Sequence, residues 1–259
     1  MTDHQPIIVE YHGTVALVTL NRPDAYNALN HDLSTAIVTT FDQLATKPSV
    51  HVIVLTGAGK AFCAGVDLKE LTANPGVLKE GGMGTDSPMV RALRDCGKPI
   101  VGAINGFAVT GGFELALACD FLYATKNARF ADTHARVGLL PGWGLSQKLG
   151  RLIGINRARE ASLTGNFIDA ETAMTWGLVN KLCPSDTLIE DALAAAQQIA
   201  ESNPQTISAM RSLMNDGDLL ALGDALELEG ARGIAYLEQA DFSQMESRLQ
   251  ALRSRAQNS

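Results

Sequence analysis

Aromatic side chains are scarce in this sequence of 259 residues and make up 5% of it. Few aromatics leave few platforms on which nucleic-acid bases could stack. The net charge of −7 and the isoelectric point near 5.2 also argue against a general polyanion binder. We therefore expect no nucleic-acid partner. One anionic small ligand remains compatible, because backbone N–H groups at a helix N-terminus bind anions locally.

Cysteine and long apolar runs are also scarce. The four cysteines have neither the spacing of a metal site nor the density of a disulfide scaffold, which predicts free thiols and no metal. No segment reaches the roughly 18 uninterrupted apolar residues of a membrane span. The N-terminal residues lack a basic region followed by an apolar stretch. These features predict a cytoplasmic protein that does not contact a membrane.

The first part of the chain alternates strand and helix patterns. A helix is expected over 33–46, capped by Asn30 or Asp32. Apolar segments closed by glycine turns predict strands; the clearest are 7–11, 15–20, 51–57 and 98–106. Strands that lead through glycine turns into helices predict an α/β architecture.

Past residue 185 the pattern is helical, with no intervening strand. We therefore divide the chain into an α/β core over 1–195 and a helical C-terminal oligomerisation region over 196–259. Within it, the stretch 242–257 is predicted to form a basic helix that faces solvent or a neighbouring subunit. The breaker-rich stretch 78–88 predicts a loop.

Two glycine-containing turns precede helices: GKAFCAGVDLKE (59–70) and NGFAVTGGFELALACD (105–120). Each places unshielded backbone N–H groups at a helix start, where the helix dipole favours negative charge. The alternative is that the glycines only permit tight turns. Neither turn has a phosphate-binding or dinucleotide-binding glycine pattern, so nucleotide hydrolysis and hydride transfer gain no support.

Five segments in order resemble the enoyl-CoA hydratase/isomerase (crotonase) family: NRPDAYNALN, HVIVLTGAGKAFCAGVDL, KPIVGAINGFAVTGGFELALACD, FADTHARVGLLPG and LTGNFIDAETAMTWGLVN. The resemblance covers almost the whole chain. It implies a spiral of strand–strand–helix turns followed by a C-terminal helical trimerisation region. It also implies an acyl-CoA substrate, no cofactor beyond the coenzyme A of that substrate, and a homotrimer or a dimer of trimers.

The resemblance assigns chemistry to the two turns. The thioester oxygen would be held by the amides of Ala64 and Gly111, which stabilise the developing enolate charge. Glu114 matches the family's catalytic glutamate and would activate the water as a general base. Its structural alternative is an acid that complements the helix dipole. The strip that resembles the coenzyme A site comprises Arg22, Ala25, Ala61, Ala64, Gly65, Val66, Asp67, Leu68 and Gly111.

The second catalytic position departs from the family. In relatives it is a glutamate that follows a proline and lies eight residues before the glycine of a P-G pair; here that position is His134, after Thr133. Two hypotheses stay open: His134 transfers the proton to the α-carbon, or it only fills space. Asp132 and Arg136 are expected to face away as a solvated ion pair.

Asp24 stands where relatives often have a basic residue, which leaves weaker candidates for a phosphate contact: Arg22, Lys60 and Lys69. The predicted function is hydration of a 2-enoyl-CoA. The alternatives are double-bond isomerisation, another enolate reaction, or a non-catalytic acyl-CoA-binding protein.

Overall fold

The chain folds into two compact units, Met1–Ser208 and Ala209–Ser259. The computed structural model describes residues 5–74, 76, 84, 86–240, 242–243, 245–247, 249–250 and 253. Most of the predicted loop over 78–88 and half of the predicted basic helix over 242–257 lie outside these residues.

Strands occur only in the larger unit of the described chain. They are β1 Ile7–His12, β2 Val15–Leu20, β3 Val52–Gly57, β4 Ala61–Cys63, β5 Ile100–Ile104, β6 Phe107–Val109, β7 Phe121–Thr125, β8 Arg129–Ala131, β9 Ile168–Asp169 and β10 Lys181–Cys183. All four of the clearest predicted strands are present.

Helices lie between the strands, and after β10 the described elements are all helices. They are α1 His31–Ala45, α2 Leu68–Ala73, α3 Pro88–Asp95, α4 Gly111–Ala116, α5 Leu145–Ile153, α6 Ile155–Thr164, α7 Ala170–Thr175, α8 Leu188–Ala200, α9 Pro204–Gly217 and α10 Leu222–Leu237. Asn30 caps α1 by accepting a hydrogen bond from the Leu33 amide. Among the described residues, no helix is both long and apolar enough to cross a membrane.

The strands form two sheets that grow together along the chain. The larger has the order β1-β2-β3-β5-β7-β10, and the smaller has the order β4-β6-β8-β9. Each successive turn of the chain adds one strand to each sheet, in the pairs β3 and β4, β5 and β6, and β7 and β8. Apart from the outer pairs β1–β2 and β8–β9, the strands are parallel. This is the predicted α/β spiral of strand–strand–helix turns.

Apolar side chains fill both faces of the larger sheet. Every residue of β3 is buried, as expected for a central parallel strand covered on both sides. Helix α8 covers one face with Leu188, Ala192 and Ala196, which recur every fourth residue and pack on the valines of β2, β3 and β5. The predicted division at residue 195 falls within α8.

Candidate active site

The two predicted glycine turns lie against each other. A Cβ atom on Gly65 would lie 2.0 Å from Oγ1 of Thr110 and 3.2 Å from the backbone nitrogen of Gly111. Gly65 also has φ +91°, a conformation that side chains disfavour. Glycine is therefore required at 65, and it brings the strip after β4 into contact with the start of α4.

The amide of Ala64 already has a protein acceptor. It donates to the carbonyl oxygen of Tyr26 over 3.0 Å. Two residues on, Val66 forms a parallel bridge with Leu29, in which the neighbours of Val66 make the hydrogen bonds. Because alternate amides of an extended segment point in opposite directions, the Val66 N–H faces away from Leu29 and has no acceptor among the described residues. The geometry moves the candidate donor from Ala64 to Val66.

Gly111 provides the other free amide, as the sequence predicts. It is the first residue of α4, so its N–H has no partner within the helix, and no other described residue accepts from it. A Cβ atom at Gly111 would lie 2.7 Å from Cζ3 of Trp143, so the indole ring covers this position. The preceding residue, Thr110, has φ 48°, which is a strained conformation for a threonine.

Glu114 is buried, with 3% of its surface exposed, and its two oxygens have different partners. Oε1 accepts hydrogen bonds from the amides of Trp143 at 2.7 Å and Leu145 at 3.2 Å. Leu145 is the first residue of α5, whose preceding residue, Gly144, provides no side-chain cap. Glu114 therefore caps α5 with one oxygen and keeps Oε2 for other contacts.

The other contact of Glu114 is with His134. Nε2 of His134 lies 3.5 Å from Oε2 of Glu114, and His134 is buried, with 7% of its surface exposed. The structure therefore places the histidine against the predicted general base.

Asp132 does not face solvent, contrary to expectation. It is 3% exposed, and its Oδ1 lies 2.7 Å from Nδ1 of His134 and accepts from the His134 amide over 3.2 Å. This turn follows β8 directly and ends the alternation of inward and outward side chains along that strand. The spacing of Asp132 and His134 therefore does not predict which way their side chains point. Arg136 does face away, but it binds the carbonyl oxygen of Thr164 and the side chain of Asn166 instead of Asp132.

The surroundings favour the charged forms of His134 and Asp132. Burial disfavours an imidazolium, but hydrogen bonds with Asp132 and Glu114 outweigh burial and raise the pKa of His134 to about 9. Burial also disfavours the Asp132 carboxylate, yet hydrogen bonds from His134 and Ser162 hold the pKa of Asp132 below its usual value. His134 is therefore a cation at neutral pH.

Arg22 has a structural partner. Both terminal nitrogens of its guanidinium lie 3.0 Å from Oδ2 of Asp67, and one of them also donates to the carbonyl oxygen of Ala28. Asp67 in turn caps α2 through the amides of Lys69 and Glu70. Through these contacts, Arg22 and Asp67 join the loop after β2 to the strip after β4. A phosphate contact by Arg22 would therefore compete with its ion pair to Asp67.

The other residues predicted for coenzyme A differ in accessibility. Ala61 is fully buried and its carbonyl oxygen accepts from Asn27 and Asn105, which places it behind the surface of the strip. Ala25 is half-buried in a short 3-10 helix, Pro23–Ala25. Leu68, Lys60 and Lys69 are exposed.

Cys63 adjoins this strip but is not a nucleophile. Burial raises the pKa of its thiol to about 12, despite a hydrogen bond from the Gly65 backbone that acts the other way. The thiol therefore stays protonated at neutral pH. Within the described part of the chain, no group of three or more His, Cys, Asp or Glu side chains could hold a metal ion.

The sequence reasoning missed two residues that the structure places in the site. Asp132 could have been found from the D-x-H spacing, since an aspartate often binds the backbone two residues on. No comparable signal identified Trp143, whose ring reaches Gly111 only through the tertiary fold.

Comparisons with known proteins identify the family of this chain. A model of the enoyl-CoA hydratase/isomerase family matches residues 10–250. A probable peroxisomal enoyl-CoA hydratase of Arabidopsis thaliana is 43% identical over 86% of this chain and 83% of its own length. The short-chain-enoyl-CoA hydratase of Clostridium acetobutylicum is 35% identical, with 86% of each chain covered.

Solved structures show the same fold. An enoyl-CoA hydratase from Bacillus anthracis superposes with a TM-score of 0.85 at 32% identity and 97% coverage of both chains. One from Mycobacterium tuberculosis has a TM-score of 0.75 at 38% identity and covers 88% of this chain and 97% of its own. With a family match across nearly its whole length, the chain belongs to the enoyl-CoA hydratase/isomerase family.

Proposed function

We propose that this protein is a hydro-lyase that adds water to the double bond of a 2-enoyl-CoA thioester. The observation that carries the proposal is the contact between His134 and Glu114, which is joined by the amides of Val66 and Gly111 that have no acceptor among the described residues. The family relationship and the names of the relatives support the same reaction class.

The two amides stabilise the intermediate. As hydroxide character adds to the β-carbon, negative charge moves to the thioester oxygen. Two fixed N–H donors at that oxygen lower the barrier, and losing one such donor typically costs roughly 3–4 kcal/mol. The contact between Gly65 and the start of α4 holds the two donor segments together.

Glu114 removes the proton from water. Its Oε1 is engaged by the amides of Trp143 and Leu145, which fixes the carboxylate and leaves Oε2 to accept from the water. The oxygen of the water then bonds to the β-carbon.

His134 supplies the proton for the α-carbon. Its imidazolium carries a proton at neutral pH, and Nε2 is the nitrogen that faces Glu114. After addition, the proton that Glu114 took from water passes across the 3.5 Å gap to Nε2 and restores both groups. The net change is addition of one water molecule, so the reaction needs no cofactor beyond the coenzyme A of the substrate.

The test uses purified protein with crotonyl-CoA. Hydration removes the ultraviolet absorbance of the conjugated thioester, whereas conversion of a 3-enoyl-CoA to its conjugated isomer increases it. We expect the first change at a much higher rate than the second. Faster isomerisation would replace hydration as the function, and binding without turnover of either substrate would contradict an enzymatic function.

The role of His134 is tested at the same time. We expect His134→Ala to lower kcat by about 10²–10⁴-fold, the usual contribution of a general acid. His134→Glu places a carboxyl group at the same position and is expected to retain more activity than the alanine variant. An alanine variant as fast as the wild type would reduce His134 to a space-filling residue.

Assembly and location complete the proposal. The family relationship supports a homotrimer or a dimer of trimers built through the C-terminal helices, and we place the protein in the cytoplasm. Sedimentation velocity of the full chain tests the first statement, and fractionation of the source cells tests the second.

A further inference from the structure

The carboxylate of Asp132 is committed to His134. A single oxygen, Oδ1, lies 2.7 Å from the imidazole Nδ1 and 3.2 Å from the His134 backbone nitrogen. The group is 3% exposed, so water does not compete for it. A buried carboxylate in this position accepts a hydrogen bond from Nδ1–H and thereby fixes the orientation of the ring.

We propose that Asp132 is a positioning residue for hydration, which orients His134 and keeps it charged so that Nε2 delivers its proton to the substrate. This inference rests on the proposed function, because it explains why His134 is able to donate a proton to the substrate. Asp132 does not contact the reacting carbons; it acts through the histidine.

The charged groups around the imidazole support this arrangement. Among the described residues, the ion pairs of His134 are with Glu114 from α4 and Asp132 from its own loop. Helix α6 contributes the neutral Ser162, and Arg136 is directed to the carbonyl oxygen of Thr164. Two carboxylates and no contacting cation therefore surround the ring, which favours its charged form.

The two nitrogens have separate tasks. The Nδ1 proton stays between His134 and Asp132 throughout. The Nε2 proton leaves for the α-carbon and is replaced by the one that Glu114 takes from water. Without the Asp132 charge, the histidine would lose its proton at a lower pH, so a smaller fraction of it would carry a proton to donate near neutral pH.

The first test measures His134 directly and needs no turnover. The protein contains five histidines, so labelling with ¹⁵N-histidine gives few signals, and the His134→Gln variant identifies the one of interest. In the wild type we expect Nδ1 protonated and a pKa near the value of about 9. In Asp132→Asn, whose side chain is nearly the same size, we expect this pKa to fall by at least one unit.

The second test uses the pH profile of kcat. Asparagine still accepts a hydrogen bond but carries no charge, so Asp132→Asn is expected to be close to wild type at pH 6 and about 3-fold or more slower at pH 8.5, where most of its histidine is neutral. Asp95→Asn is the matched control, because Asp95 is exposed and pairs with Arg94 away from the site. An equal loss at every pH would indicate a merely structural role and overturn the proposal.

The outcomes separate the two proposals. If crotonyl-CoA is not hydrated but the imidazole pKa falls in Asp132→Asn, hydration is wrong and the control of His134 by Asp132 stands. If hydration occurs and this pKa does not move, the positioning role is wrong and hydration stands. Should Asp132→Asn fail to fold, the wild-type spectrum decides: a neutral ring at pH 7, or one protonated only on Nε2, overturns the inference.

Discussion

Nε2 of His134 and Oε2 of Glu114 lie 3.5 Å apart, and both side chains are almost completely buried. The pair combines a cation and a proton acceptor on neighbouring elements. Addition of water to a double bond needs one group to accept a proton and another to donate one. A short separation also lets the proton return between turnovers.

Replacement of Glu114 by glutamine should abolish hydration while preserving the fold. The glutamine oxygen can still accept from the Trp143 and Leu145 amides, but it cannot act as a base. We expect kcat to fall by about 10²–10⁴-fold, measured with crotonyl-CoA, with binding of a saturated acyl-CoA little changed. Glu160→Gln, on the exposed side of α6, serves as the control. Full activity in Glu114→Gln would remove Glu114 from the mechanism.

Loss of the Val66 amide should weaken polarisation of the thioester. Val66→Pro removes an N–H that makes no hydrogen bond to a described residue, whereas Val66→Ala keeps it. We expect roughly 10²–10³-fold lower kcat in the proline variant alone. The carbonyl stretching frequency of a bound acyl-CoA should move toward its solution value. If Val66→Pro leaves both quantities unchanged and Ala64→Pro alters them, the donor is Ala64.

Stability should decrease at alkaline pH because of His134. Its pKa is raised from 6.5 to about 9 by folding, so the folded protein holds this proton more tightly than the unfolded chain. The resulting stabilisation is fully present below pH 6.5 and is lost as the pH rises through 9. It amounts to about 3 kcal/mol. Urea unfolding of wild type and His134→Gln at pH 6 and pH 10 measures it; an equal difference between the proteins at both values would contradict this linkage.

Asn27 should be important for stability. Its buried side chain donates to the carbonyl oxygens of Ala58 and Ala61 and accepts from the Arg22 amide, and its backbone has φ 56°. Alanine would leave these groups unsatisfied and fits that conformation less well. We expect Asn27→Ala to lower the free energy of unfolding by roughly 2–4 kcal/mol. Asn127→Ala, at an exposed asparagine, should change it by about 0.5 kcal/mol or less.

The sequence was sufficient for features that depend on local pattern. Gly111 opens α4 and Glu114 follows within it because the glycine pair, the apolar helix and their order are all readable along the chain. Strands that end in glycine turns and lead into helices likewise predicted the α/β architecture, and the family resemblance implied its spiral arrangement. His134 could be located by counting along the glycine and proline spacing.

The remaining features depend on contacts between distant segments. Whether Ala64 or Val66 offers a free amide is decided by the pairing of Val66 with Leu29 and of Ala64 with Tyr26. Asp132 was misplaced for a related reason: the strand pattern ends just before it, and a turn then directs its carboxylate inward.

The divided contacts of Glu114 have a consequence for how this protein can change in evolution. One oxygen of Glu114, the proposed base, also caps the N-terminus of α5. A descendant that no longer hydrated a substrate would still need an acceptor at this position to satisfy the first amides of that helix. Retention of a glutamate or glutamine there is thus expected even in a lineage that has lost the activity, and its presence alone is poor proof of catalysis.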